Sequence, residues 1–286
     1  MKTTITRIIF AVLSLIICCV MVFTLCPEES SASANYKEIK LPVLMYHHIM
    51  EKGKLIGDYC ITPSQFEEDL KYIKDKGYTT VSADDLLEFY YNKIPLPEKP
   101  IMITFDDGYE SSYVYAFPLL KKYNMKAIIS IIGNYSDLYS TIPSSEKDVS
   151  YSHITWDQAK IMQNSKLIEI GNHTYNLHSI EKGRKGVVKK NDNGFYNGEM
   201  KEDILKLQKK IEENLGMTPV IFAYPFGSRN EKTDKIIKDI KFKVVLGCEE
   251  KVNILTGTNK EELYNIKRFN RPHNIKTEDF FKKFEN

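Results

Sequence analysis

Cysteine is scarce where a fold would use it. Of the five in this chain of 286 residues, Cys18, Cys19 and Cys26 fall near the amino terminus, which leaves Cys60 and Cys248 for the remainder. That excludes a disulfide framework, allows one bridge at most, and leaves both thiols unpaired by default. No C-x-x-C spacing occurs, which argues against a thiolate-held zinc, so any metal must be held by histidine and carboxylate. An excess of charge of either sign is also missing: 40 Lys and Arg stand against 38 Asp and Glu, for a formal net charge of +2. Phosphate recognition normally needs a concentrated basic surface, so no nucleic-acid partner is expected. There is no internal repeat and no low-complexity tract, and with 42% hydrophobic and 27% charged residues a disordered or fibrous chain is excluded.

What is present begins with an address. Lys2 and Arg7 precede an apolar run from Ile8 to Leu25, whose length is at the border between a signal-peptide core and a membrane span. Ala32 and Ala34 form an A-x-A site, but it lies farther beyond Leu25 than cleavage sites usually sit. Residues 1–34 therefore read as a signal peptide or as an amino-terminal membrane anchor built on residues 8–25. Leu25 directly before Cys26 is not the small residue that a lipoprotein signal needs. Residues 35–286 are then expected to form one domain, secreted or held at the cell surface.

Beyond a short Ser/Ala linker, apolar runs alternate with amphipathic stretches, the pattern of βα units. Strands are expected at 41–47, 79–81, 101–105, 127–132, 167–171, 220–224, 242–246 and 264–269. The helices between them carry start signals. Thr62 with Gln65, Ser82 with Asp85 and Thr155 with Gln158 form capping-box patterns, with Pro63 at a first helical position. Ile204, Leu207, Ile211 and Leu215 repeat at helical spacing over 199–215 before Gly216 ends the run. Seven or eight such units suit a closed or distorted (β/α) barrel, with a doubly wound open sheet as the alternative. In both, ligands gather at the carboxyl ends of the strands.

Three strand ends carry unusual residues. Ile101-Met102-Ile103-Thr104-Phe105 runs into Asp106-Asp107-Gly108-Tyr109. Neighbours in a strand point opposite ways, so a turn at Gly108 is what lets both acids address one cavity, in different roles. A helix cap followed by a solvated acid is the bland alternative. Ile168-Glu169-Ile170-Gly171-Asn172 runs into His173-Thr174-Tyr175-Asn176-Leu177-His178. Two histidines five apart diverge on a regular helix and converge only on a loop or irregular turn. With the Asp pair they make a two-histidine, one-carboxylate set with an open position, suited to zinc and other borderline divalent ions. Ile221-Phe222-Ala223-Tyr224 runs into Pro225-Phe226-Gly227, where Pro225 ends the strand and leaves the backbone N–H of Phe226 or Gly227 free for the cleft.

Thr104-Phe105-Asp106-Asp107-Gly108-Tyr109, His173-Thr174 with His178, and Tyr224-Pro225-Phe226-Gly227, in that order, resemble the motifs of the NodB-type polysaccharide deacetylases, carbohydrate esterase family 4. The resemblance covers roughly residues 41–270. The histidine spacing and Leu44-Met45-Tyr46-His47-His48-Ile49 are more similar to the branch acting on biofilm poly-β-1,6-N-acetylglucosamine than to the peptidoglycan branch. The resemblance implies an α/β fold, a distorted (β/α)7–8 barrel in a single domain, that removes N-acetyl groups from an N-acetylglucosamine polysaccharide. It implies a divalent ion, zinc with cobalt or nickel as substitutes, on Asp107, His173 and His178, with Asp106 as general base. Stabilisation of the oxyanion falls to the backbone N–H of Phe226. The acid that protonates the leaving amine is His47, at the end of the first strand, or His273 of Arg271-Pro272-His273, where the family carries Leu-x-His; His47 is preferred. The family's Arg before the Tyr-Pro turn is replaced by Ala223, which leaves Arg268 as the candidate to orient Asp106. His48 should point away from His47, while His153 and Trp156 read as structural. The segments 134–154, rich in Ser and Tyr, and 181–198, rich in Lys and Gly, read as solvated loops that could also grip sugar. Peptidoglycan deacetylation and a non-catalytic sugar-binding module are the competing functions.

Overall fold

The structure, a computed structural model, describes residues 38–285; the expected leader, with its apolar run 8–25, lies outside the described residues. Among the described residues no helix is long and apolar enough to cross a membrane. Eight parallel strands form the central sheet: β1 (Val43–Tyr46), β2 (Pro100–Phe105), β3 (Ala127–Ile131), β4 (Ile168–Asn172), β5 (Ile221–Ala223), β6 (Val244–Leu246), β7 (Tyr264–Ile266) and β8 (Phe269–Asn270). Their order across the sheet is β7-β6-β5-β4-β3-β2-β1-β8, and every neighbouring pair is parallel. The two edge strands are separated in sequence only by Lys267 and Arg268, so one chain segment carries both edges and the sheet curls back on itself. This is the expected distorted barrel. The strand expected at 264–269 is broken in two at Arg268, and the one expected at 79–81 shrinks to Thr79–Thr80, which pairs beside β2 off the main circuit. All six residues of β2 and all five of β3 are buried, as parallel strands covered on both faces require.

The described α-helices are α1 (Pro63–Asp75), α2 (Ala83–Leu87), α3 (Phe117–Tyr123), α4 (Gly133–Thr141), α5 (Trp156–Asn164), α6 (Lys201–Leu215), α7 (Glu231–Asp239) and α8 (Thr277–Glu285). All three expected capping boxes form, at Thr62, Ser82 and Thr155, and Asn230 with Thr233 adds a fourth. Each side chain accepts from an N–H that has no partner inside the helix. Thr62→Ala should therefore cost about 1 kcal/mol in a urea unfolding curve, with the m-value unchanged. Phe66, Leu70 and Ile73 of α1 pack with Leu44, Ile103 and Phe105 of the sheet and with Phe280 and Phe281 of α8 in one continuous core. A second cluster joins Ile204 of α6 and Ile236 of α7 to Phe222 and Val245.

Inside that packing, Asp69 of α1 accepts from Arg271 Nε (2.8 Å) and Nη2 (3.1 Å), Tyr46 Oη (3.0 Å) and Thr277 Oγ1 (2.8 Å). A buried ion pair survives desolvation only with its remaining lone pairs satisfied, and these four bonds also fix where the chain goes after β8. Neither expected solvated loop is wholly irregular. The segment 134–154 begins as α4, while 180–189 folds into a small antiparallel sheet of Ile180–Glu181, Arg184–Lys185 and Val188–Lys189 in which Arg184 is buried.

Candidate active site

The carboxyl ends of β1, β2, β4 and β5 open on one cavity of about 570 Å³, and its walls include His47, Asp106, Asp107, His173, His178 and Phe226. The two aspartates reach it from adjacent positions because the chain turns left-handed immediately after β2. Asp107 has φ 68° and Gly108 φ 67°. A Cβ on Gly108 would stand 2.9 Å from Ile131 Cγ2, so only glycine fits the second position. A left-handed aspartate costs on the order of 1–3 kcal/mol, a strain that the surrounding packing must hold in place.

The histidines converge because their connection is not a helix. Thr174 has φ 72°, its N–H donates to Asn172 Oδ1 (2.9 Å), and its Oγ1 accepts from the Leu177 N–H (3.2 Å). Asp203 of α6 receives the next two backbone donors, Tyr175 N and Asn176 N, each at 2.8 Å, and burial pushes its carboxyl up to about 6. The sequence reading missed Asp203; nothing in its surroundings on an amphipathic helix distinguishes it. The result is one compact trio in which a ligand atom from each of Asp107, His173 and His178 lies within 4.8 Å of the others. Asp107 Oδ1 stands 3.2 Å from His178 Nε2 and 3.5 Å from His173 Nε2, yet this buried oxygen makes no hydrogen bond. His173 Nδ1 is 2.8 Å from the Ala223 carbonyl, to which it can only donate, so Nε2 of the neutral ring offers a lone pair to the cavity. Three lone-pair donors facing one point without bonding to one another fit a divalent cation, and the donor set suits zinc.

Burial opposes charge on both aspartates but is outweighed. Arg268 and His173 hold Asp106 far below the usual carboxylate range, and the histidines lower Asp107. Burial likewise works against protonating His173, and Asp106 and Asp107 overturn it and raise the ring. Carboxylates that favour a proton at that nitrogen also favour a cation. Burial, and then His173, push His178 down to about 4, and burial lowers His47 despite both aspartates.

Asp106 is not in the trio. Arg268, fully buried at the break between β7 and β8, holds it in a fork: Nη1 to Oδ1 at 2.8 Å and Nη2 to Oδ2 at 2.7 Å. The guanidinium is itself fixed by Nε donating to Gly247 O (2.6 Å) and Nη1 to Thr104 Oγ1 (3.2 Å). His47 lines the cavity edge-on to Tyr59, its Nδ1 buried without a partner. Phe226 has φ 58° and lays its ring against His178, centroids 4.3 Å apart. His273 is not brought to the cavity. Its N–H donates to Gly57 O (2.9 Å), its Nδ1 pairs with Gln65 Oε1, and it lines a separate groove beside α1. The path fixed by Arg271 and Asp69 carries it there. His48 is buried, with Nδ1 2.7 Å from Ser111 Oγ and Nε2 3.2 Å from Ser150 O. Cys60 and Cys248 are free thiols on the walls of the cavity.

Residues 93–245 match the family described as polysaccharide deacetylase. Over 236 residues the chain is 27% identical to the poly-beta-1,6-N-acetyl-D-glucosamine N-deacetylase of Staphylococcus aureus strain NCTC 8325, covering 78% of this chain and 77% of that one. Among solved structures, IcaB from Ammonifex degensii superposes with a TM-score of 0.67 at 27% identity, over 80% of this chain and 91% of that one. The Streptococcus pyogenes deacetylase PplD in complex with acetate superposes with a TM-score of 0.70 at 23% identity, over 87% of this chain and all (100%) of that one; at this identity it bears on the fold alone.

Proposed function

The chain belongs to the polysaccharide deacetylase family, hydrolases of amide carbon–nitrogen bonds, and from that premise we propose that it deacetylates N-acetylglucosamine units of poly-β-1,6-N-acetylglucosamine outside the cytoplasm. The choice of polymer is supported by the Staphylococcus aureus relative, whose name specifies it. The placement outside the cytoplasm rests on the amino-terminal apolar run.

One observation carries the chemistry: a buried carboxylate oxygen, Asp107 Oδ1, without a hydrogen bond although two imidazole nitrogens stand 3.2 and 3.5 Å away. Asp107, His173 and His178 would hold a divalent ion, zinc in this reading, with cobalt or nickel able to replace it. Such an ion, when bound, supplies Lewis acidity to the acetamide carbonyl and acidifies a water. Asp106 takes the proton of the attacking water, and Arg268 keeps its carboxylate ionised and aimed. The N–H of Phe226, which has a left-handed backbone, is the donor assigned to the oxygen on which negative charge grows. His47 protonates the departing amine. Burial lowers its pKa, so it takes up from solvent the proton that it delivers, while Asp106 returns the proton of the water to solvent.

The test is acetate release by the purified protein loaded with zinc, cobalt or nickel. Oligomers of β-1,6-linked N-acetylglucosamine should release acetate, and peptidoglycan run in parallel should release far less. The reverse preference would move the substrate to the cell wall, and silence on both polymers would end the reading.

A further inference from the structure

Four aromatic rings lead out of the cavity in a continuous column. His48 stacks on Tyr109 with centroids 4.3 Å apart and planes 18° from parallel, and Tyr109 meets His153 at 4.7 Å and 31°. His153 then stacks on Tyr135 at 4.3 Å and 27°, with Tyr139 beside it at 5.5 Å. His48 and Tyr109 line the cavity, whereas Tyr135 ends the column in the first turn of α4, directly after β3, with 37% of its surface exposed.

The column is built rather than incidental. Ser111 Oγ accepts from Ile49 N–H (3.1 Å) and so has its one proton for His48 Nδ1, which leaves His48 Nε2–H to donate to Ser150 O at 3.2 Å. Glu110 N–H donates to Ser152 O and Ile154 N–H to Gly108 O, each at 2.8 Å, clasping the His153 segment to the Asp107–Gly108 turn. His153 is buried among the tyrosines with Nδ1 unpartnered, and burial pushes the ring down to about 4, so at neutral pH it is an uncharged spacer between Tyr109 and Tyr135.

We infer that this column is a sugar subsite, with Tyr135 binding the polymer unit next to the one being deacetylated. A pyranose ring in β linkage presents a face of C–H groups, and an aromatic face is the surface that complements it without charge. Location decides the occupant: the column starts on the wall of the reacting site and ends on the same face of the barrel. The inference rests on the proposed polysaccharide substrate and adds a residue that sets the preference for chain length.

The test compares kcat/KM on the β-1,6-linked pentasaccharide and disaccharide of N-acetylglucosamine for the wild type, Tyr135→Ala, Tyr135→Leu and Tyr135→Phe. The wild type should prefer the pentasaccharide. In Tyr135→Ala and in Tyr135→Leu, which keeps apolar bulk but no aromatic face, that ratio should fall by about tenfold, through KM. Tyr135→Phe should keep it. A ratio unchanged in Tyr135→Leu, a wild type without length preference, or equal loss on both substrates would each overturn the subsite. Absence of acetate release by the wild type on both oligomers is a separate outcome, which removes the substrate reading and this subsite with it.

Discussion

Asp106→Asn should lower kcat by about 10²–10⁴-fold and leave metal content intact, because the substitution removes the proposed base without touching the ligand trio. Asp106 lies outside the cluster of Asp107, His173 and His178, and both its oxygens are engaged by Arg268. An amide still fills the space and still accepts one hydrogen bond, but it gives a fully buried guanidinium no counter-charge. A loss of stability is therefore expected alongside the loss of rate, and circular dichroism at the assay temperature separates the two. Metal analysis and turnover on β-1,6 oligomers form the check: full metal with turnover near that of the wild type would remove Asp106 from the mechanism.

Arg268 yields the second large effect. Its guanidinium makes five bonds or contacts inside the barrel, to both oxygens of Asp106, to Gly247 O, to Thr104 Oγ1 and to Cys248 Sγ. Arg268→Met strands Asp106 as an uncompensated buried charge, which should cost roughly 3–5 kcal/mol in denaturant unfolding. Arg268→Lys keeps the charge but loses the fork that matches both carboxylate oxygens. The sign of its pH effect follows from the pair. Burial raises Asp106, and Arg268 together with the histidines more than offsets this, so weakening the Arg268 partner lets the Asp106 pKa rise. The acidic limb of the pH–rate profile of Arg268→Lys should accordingly move to higher pH. An unmoved limb would mean that Asp106 does not titrate in the step measured.

Much of this site was legible in the sequence because its parts are local. Thr62, Ser82 and Thr155 sit three residues before their capping partners, and Asp107-Gly108 carries its turn in its own backbone preference. The trio of Asp107, His173 and His178 needed only strand ends that share a face. Less local relations were harder to read. Arg268 can be named as the partner of Asp106 from its place at a strand end, but the break that turns it inward cannot, because nothing in Tyr264-Asn265-Ile266-Lys267-Arg268-Phe269 marks where two half-strands part. His273 resembled a late catalytic histidine by order alone; a buried pair formed by residues as distant as Asp69 and Arg271 takes the chain elsewhere. Helix α4 has no apolar stripe to announce it. It is held by tertiary bonds, with Trp156 Nε1 donating to Asp137 Oδ1 at 2.9 Å and Tyr175 Oη to Asp137 Oδ2 at 3.0 Å. Propensity gave way to packing there, as it commonly does for short helices.

One divalent cation should be held jointly by Asp107, His173 and His178. Anomalous difference density collected at the zinc edge from crystals grown with zinc tests it directly. One peak is expected about 2.0–2.2 Å from Nε2 of both histidines and from an Asp107 oxygen. Zinc bound only elsewhere, or no peak between these three side chains at full occupancy of added metal, would contradict it.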